Sequence, residues 1–125
     1  MTAAPPAPRA IVAARLRQAR ELRGLSQREV GIRMGLDKDT ASARISRYES
    51  GAMSISLEAL FKLAEALDVP AAYLVASSEG MAAAIELIGK QHEGEQEKLT
   101  DLLNTLTQMS PERRDECIRA IKARG

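Results

Sequence analysis

Apolar residues recur along this chain in helical steps, and glycines mark where each run stops. From about Arg9 to Arg23, Val12, Leu16 and Ala19 share one face while arginines take the others, and Gly24 supplies a C-terminal stop. Ser26, followed three residues later by Glu29, forms a capping box in which each side chain satisfies a free amide of the first turn. The helix it opens, Gln27 to Met34, buries Val30 and Met34 and ends at Gly35. Ala41, Ile45 and Tyr48 predict a third helix from Thr40 or Ala41 to Glu49, stopped by Gly51. Ser56 caps a fourth, Leu57 to Leu67, whose Leu60, Leu63, Ala64 and Leu67 make an apolar stripe. Pro70 opens a last short helix through Leu74 and Val75. The pattern predicts an all-α fold: a compact five-helix domain over residues 9–76, with Val30, Ile45, Tyr48, Leu60, Leu63 and Leu67 in its core.

Outside that domain the pattern changes twice. Residues 1–8, MTAAPPAP, are Pro/Ala-rich without periodicity and read as a disordered arm. Residues 77–125 read as a helical dimerisation segment. Met81, Ile85, Ile88, His92, Glu95, Leu99, Leu102, Leu106 and Met109 alternate in steps of four and three, the spacing of a coiled-coil seam. Gly89 and Gly94 weaken its centre, so the seam fits either one helix of about 40 Å, at 1.5 Å per residue, or two joined at a kink. Ser110-Pro111 then restarts a helix edged by Ile118 and Ile121. Such thin stripes build no core in one copy.

Composition narrows the class. Hydrophobic residues make up 45% of the 125 and charged residues 28%, an ordinary globular balance, while aromatics at 2% leave an aliphatic core. No apolar run approaches the roughly 20 residues that span a bilayer, no secretory signal opens the chain, and a cytoplasmic setting is expected. One cysteine and one histidine give no disulfide and no usual zinc site, so neither metal nor cofactor is expected. An enzyme is not expected either, because no Gly-rich phosphate loop or nucleophile–base pairing is legible. Charge is uneven. Residues 9–47 hold 10 basic against 4 acidic residues within a chain of net +1, and such a surface attracts polyanions.

Two short helices joined by a tight turn, the second polar and Arg-bearing on its outer face, fit a helix-turn-helix. Arg15-Leu-Arg-Gln-Ala-Arg-Glu-Leu-Arg-Gly-Leu-Ser-Gln-Arg-Glu-Val30 resembles the opening of the phage-repressor-like (Cro/cI, Xre) family of DNA-binding regulators. Ile45-Ser-Arg-Tyr-Glu-Ser-Gly51 resembles the end of that family's recognition helix, and Leu57–Pro70 its fourth helix; the likeness spans residues 11–75. The chain departs from the pattern in carrying about four extra residues between Gly35 and Ile45, Ser50 for the commoner Asn, and Ile55 where Pro is frequent.

The resemblance implies site residues. Ser42, Ala43 and Arg47 fall on base-reading positions, with Arg44 beside them. Arginine pairs with guanine O6 and N7, serine serves either partner, and alanine touches only a thymine methyl. Lys38 and Thr40 are candidate phosphate contacts, as is Arg28 across the groove edge. Gln27 matches a glutamine that contacts phosphate and braces the recognition helix. Arg20 and Glu49 match a pair that forms a largely buried salt bridge. The expected partners are double-stranded DNA and a second copy held through residues 77–125. The alternative is a protein-interaction module of antitoxin or anti-repressor type, whose C-terminal helices mask a heterologous partner.

Overall fold

The computed structural model describes residues 6–125, and among them every regular element is a helix: α1 (Pro8–Leu22), α2 (Gln27–Arg33), α3 (Ala41–Ser50), α4 (Leu57–Leu67), α5 (Ala71–Leu74), α6 (Glu79–Gly89), α7 (Glu93–Thr107) and α8 (Pro111–Arg124). They fall into two compact units that part at Gly89 and Lys90. Most of the expected arm, residues 1–5, lies outside the described residues; Ala7 and Pro8, its last two, instead cap and open α1.

Local rules set most helix ends. The Glu29 amide donates to Ser26 Oγ at 3.0 Å and the Ser26 amide donates to Glu29 Oε1 at 3.2 Å, the reciprocal capping box read in the sequence. Ser56 and Ser110 cap α4 and α8 in the same way through the amides of Ala59 and Arg113. After α2, the Leu36 amide reaches back to the Gly31 carbonyl at 2.9 Å across Gly35, whose φ of +98° a side chain would strain.

In the first unit, Leu16, Val30, Ile45, Leu63, Leu67 and Leu74 are fully buried, joined by Ala19, Leu25, Tyr48 and Tyr73. Leu60, expected among them, is half-buried and packs against the cluster from its edge. α2 and α3 meet at a glycine: a Cβ on Gly31 would lie 2.5 Å from the Ala41 Cβ and 2.9 Å from the Ala41 backbone. That absence of a side chain lets the two helices touch through their backbones.

The two units part at Gly89, later than the change of pattern after Ala76, because α6 is bound into the first unit. The buried Arg15 donates from Nε to the Ala76 carbonyl at 2.8 Å and pairs through Nη1 with Glu79 at 3.0 Å, while Gln18 donates to the other Glu79 oxygen at 2.9 Å. Arg23 donates to the carbonyls of Leu67 and Asp68 and pairs with the buried Glu86 at 3.1 Å. Ala82 is buried, and a Cβ on Gly89 would strike the Pro70 ring at 2.4 Å.

The second unit holds α7 and α8. Of the two forms the seam from Met81 to Met109 allowed, the structure has two helices: it is divided between α6 and α7 at Lys90–His92, and exposed His92 takes the N-cap position of α7. The elbow between α7 and α8 is clasped by Arg114, which donates to the carbonyls of Leu106 (2.8 Å), Thr107 (3.1 Å) and Met109 (3.1 Å).

The close approach of α2 and α3 makes a testable point. Gly31→Val is expected to lower stability by about 1–3 kcal/mol or more through overpacking against backbone atoms, measured as the shift of the urea unfolding midpoint. Gly80→Ala, in a helix with open space around it, should leave stability unchanged or raise it by up to ~1 kcal/mol.

Candidate nucleic-acid interface

α3 is held from behind at its two ends. At the front, Ala41 is fully buried against Gly31 of α2. At the back, the Glu49 side chain is 0% exposed and accepts hydrogen bonds from two helices. Arg20 of α1 donates from Nε at 2.6 Å and from Nη2 at 3.0 Å; Arg17 donates from Nε at 3.3 Å; Gln27 of α2 donates from Nε2 at 3.4 Å. Arg20 also donates to the Leu25 carbonyl, so the turn between α1 and α2 joins the same knot. The salt bridge implied for Arg20 and Glu49 is formed, and Gln27 takes the bracing position.

Burial alone would raise the Glu49 carboxyl, yet the hydrogen bonds from Arg20 and Gln27, with the Arg20 charge and the bond from Arg17, hold it below the usual carboxylate range. The same hydrogen bond raises the Arg20 guanidinium above its ordinary value. The cluster is ionised at neutral pH.

The outward face of α3 is polar. Ser42, Ala43 and Arg47 are exposed, Arg44 is half-buried, and Lys38 and Thr40 lie exposed on the turn in front of the helix. Ala43 and Arg47 are four residues apart and therefore neighbours on one face. Arg28 is exposed at the start of α2, beside half-buried Gln27. The expected residues thus gather on α3, the turn before it, and the first turn of α2. Ser46 belongs with them and was missed; it is exposed one turn after Ser42, and that i+4 step is the signal that finds it. Exposed Asp37 and Asp39, two of the four acids counted in residues 9–47, flank Lys38 and make the approach to α3 less basic than α3 itself.

The extra residues before Ile45 lengthen the connection and leave the helix unchanged. Asp37 to Thr40 close a turn of their own, with the Thr40 and Ala41 amides donating to the Asp37 carbonyl at 3.0 and 2.9 Å, and α3 starts at Ala41. The Thr40 hydroxyl turns back onto that same carbonyl at 3.3 Å and does not cap α3.

Not every arginine of the basic segment is available at the surface. Arg15, Arg20 and Arg23 donate to internal acceptors, and Arg9 donates to the Gly51 carbonyl and Ser54 Oγ behind α3. Arg28, Arg33, Lys38, Arg44 and Arg47 form no ion pair among the described residues. Apart from Arg9, the cations of residues 9–47 with no ion pair are therefore those of α2, α3 and the connection between them.

A buried, doubly pinned helix presenting a polar, cationic outer face beside a second short helix is the arrangement of a helix-turn-helix DNA-binding regulator. A helix-turn-helix family model matches residues 16–74. The cryptic phage CTXphi transcriptional repressor RstR of Vibrio cholerae is 36% identical over 104 residues, an alignment covering 79% of this chain and 90% of that protein. The crystal structure of the transcriptional regulator BswR superimposes with a TM-score of 0.69 at 31% identity, covering 74% of this chain and 92% of that one. The chain belongs to the helix-turn-helix family of transcriptional regulators of the phage-repressor, or Xre, type. Among the described residues no helix is long and apolar enough to cross a membrane.

Removing Glu49 tests the pin. Glu49→Ala strands the Arg20 charge and should cost about 3–5 kcal/mol at neutral pH. The folded carboxyl titrates below the ordinary 4.5 that the unfolded chain retains, so the unfolded chain takes up this proton first as pH falls. The contribution of Glu49 is therefore complete above that value and lost as pH drops below it towards the folded pKa. Urea unfolding across the acid range should be flatter for Glu49→Gln than for the parent chain. Identical slopes would mean that the carboxylate is not held as described.

Proposed function

We propose that the chain is a sequence-specific repressor of transcription that binds double-stranded DNA as a homodimer, with α3 in the major groove. The observation that carries this reading is the contrast across α3, whose inner side is fixed by the Gly31 contact and the Glu49 cluster while Ser42, Ala43 and Arg47 stand exposed on its outer side. A helix fixed in this way enters a groove without reorganising, and the B-DNA major groove admits one helix. The names of RstR, a repressor, and BswR, a regulator, support the same direction.

Within this reading Arg47 makes a bidentate pair with a guanine, Ser42 bonds a base edge, and Ala43 meets a thymine methyl. Arg44, half-buried, reaches the edge of the groove. Lys38, Thr40 and Arg28 bind phosphates, and Gln27 adds a phosphate contact to its bond with Glu49. One α3 covers few base pairs, so two copies related by a two-fold axis read half-sites about 34 Å apart, one turn of duplex. Residues 77–125, the segment read as dimerising, supply the contact between copies.

Selection of binding sites from random duplex, followed by footprinting on the DNA upstream of the coding sequence, tests this. A two-fold symmetric motif is expected. Arg47→Ala should relax preference at one base pair by about 1–3 kcal/mol, whereas Lys38→Ala should weaken all sequences alike and reduce the salt slope by about one. Recovery of no motif at moderate salt would refute the assignment.

A further inference from the structure

The second unit leaves its own apolar stripes uncovered, and its charges are sorted by helix. Leu99, Leu102, Leu103 and Leu106 of α7 lie at i, i+3, i+4 and i+7, and Arg114, Cys117, Ile118 and Ile121 of α8 repeat that spacing. No residue of either helix is buried. The stripes are half-buried only beside the elbow, at Leu106, Met109, Arg114, Cys117 and Ile118; farther out, Leu102 and Leu103 are each 46% exposed and Ile121 57%. A segment shorter than about 40 residues seldom supplies its own core.

α7 carries Glu93, Glu95, Glu97 and Asp101 against the single Lys98, while the last turns of α8 carry Arg119, Lys122 and Arg124 with no acid. These opposite charges do not satisfy one another within the chain: Lys98 pairs with Glu95 inside α7, and no ion pair links α7 to α8 among the described residues.

We propose that residues 90–125 are completed by the same segment of a second copy, with α7 of one chain laid against α8 of the other, its acidic start towards the basic end of its partner helix. This rests on the dimeric reading above and names the interface. A second copy is the occupant the charges select, because each chain already carries both signs, and a two-fold arrangement forms both α7–α8 pairings at once. The leucine and isoleucine stripes supply the affinity, and the charges set which helix meets which. This narrows the segment read as dimerising, residues 77–125, to its last two helices, α6 being anchored to the first unit through Glu79 and Glu86.

Sedimentation equilibrium of the full chain tests the pairing. The parent chain should sediment at twice its 13.5 kDa. Glu93→Lys with Glu97→Lys, and separately Arg119→Glu with Lys122→Glu, should each weaken self-association by about tenfold or more. An equimolar mixture of the two charge-reversed chains should restore a mixed dimer of near-parental affinity. All four positions are exposed, so the reversals leave the helical circular dichroism of the first unit intact. Leu102→Asp should abolish association in either background. A monomeric parent, reversals that associate as tightly as the parent, or a mixture that stays dissociated would each overturn the proposal. Footprinting on the same samples separates the two readings: a dimer of this form that protects no site removes the DNA assignment alone, whereas a dimer that protects a site while both charge reversals associate as tightly as the parent removes this interface alone.

Discussion

The geometry of the first unit depends on one buried carboxylate. Glu49 brings a negative charge to the end of the helix that carries the candidate reading residues, and α1 and α2 surround it with donors from Arg20, Arg17 and Gln27. A buried ion costs several kcal/mol of desolvation, which only well-formed hydrogen bonds offset. A buried pair of this kind therefore contributes little net stability while strongly penalising every arrangement in which it is broken. The penalty is directional. A rotation of α3 that swung its polar face inward would pull Glu49 away from Arg20 and push the Ala41 backbone into Gly31.

How much of this was legible in the sequence follows from how far apart the interacting groups lie. Ser26 with Glu29, Ser56, Ser110 with Pro111, and the glycines after the first three helices act within one turn of chain, and each predicted its helix end to within a residue or two. The Arg20–Glu49 bridge acts over a long separation and entered through resemblance, not through any local rule. Arg15 and Arg23 were read as part of a basic surface because nothing nearby in the sequence marks their acceptors, several of which are backbone carbonyls (Ala76, Leu67 and Asp68) freed where helices and turns end. Composition counts a carbonyl-bound guanidinium and a solvent-facing one alike.

The distance between the change of pattern after Ala76 and the division at Gly89 has the same origin. The pattern changes after Ala76, and the apolar steps of Met81, Ile85 and Ile88 continue in phase into α7. What assigns α6 to the first unit is polar: Glu79 meets Arg15 of α1, Glu86 meets Arg23 just past its end, and Gly89 gives Pro70 room. Hydrophobic periodicity is blind to such contacts. The outer face of α3 needs only local information, because the residues on a helix face are fixed by spacing once the helix ends are known.

The extra residues before Ile45 show why those helix ends hold firm. Between Ala41 and Glu49 the rise of an α-helix fixes about 12 Å and a little over two turns, so the two pins define both the length and the rotation of α3. Four residues inserted between them would carry one pin about 6 Å along the axis and turn it by about 40°, breaking either the Gly31 contact or the Arg20 bridge. Placed ahead of Ala41, the same residues need only close a turn on the Asp37 carbonyl, in solvent, where a longer connection costs a few tenths of a kcal/mol. The insertion therefore sits in the loop, and the outer face of α3 keeps its register, with Arg47 one turn after Ala43 and two residues ahead of the buried carboxylate.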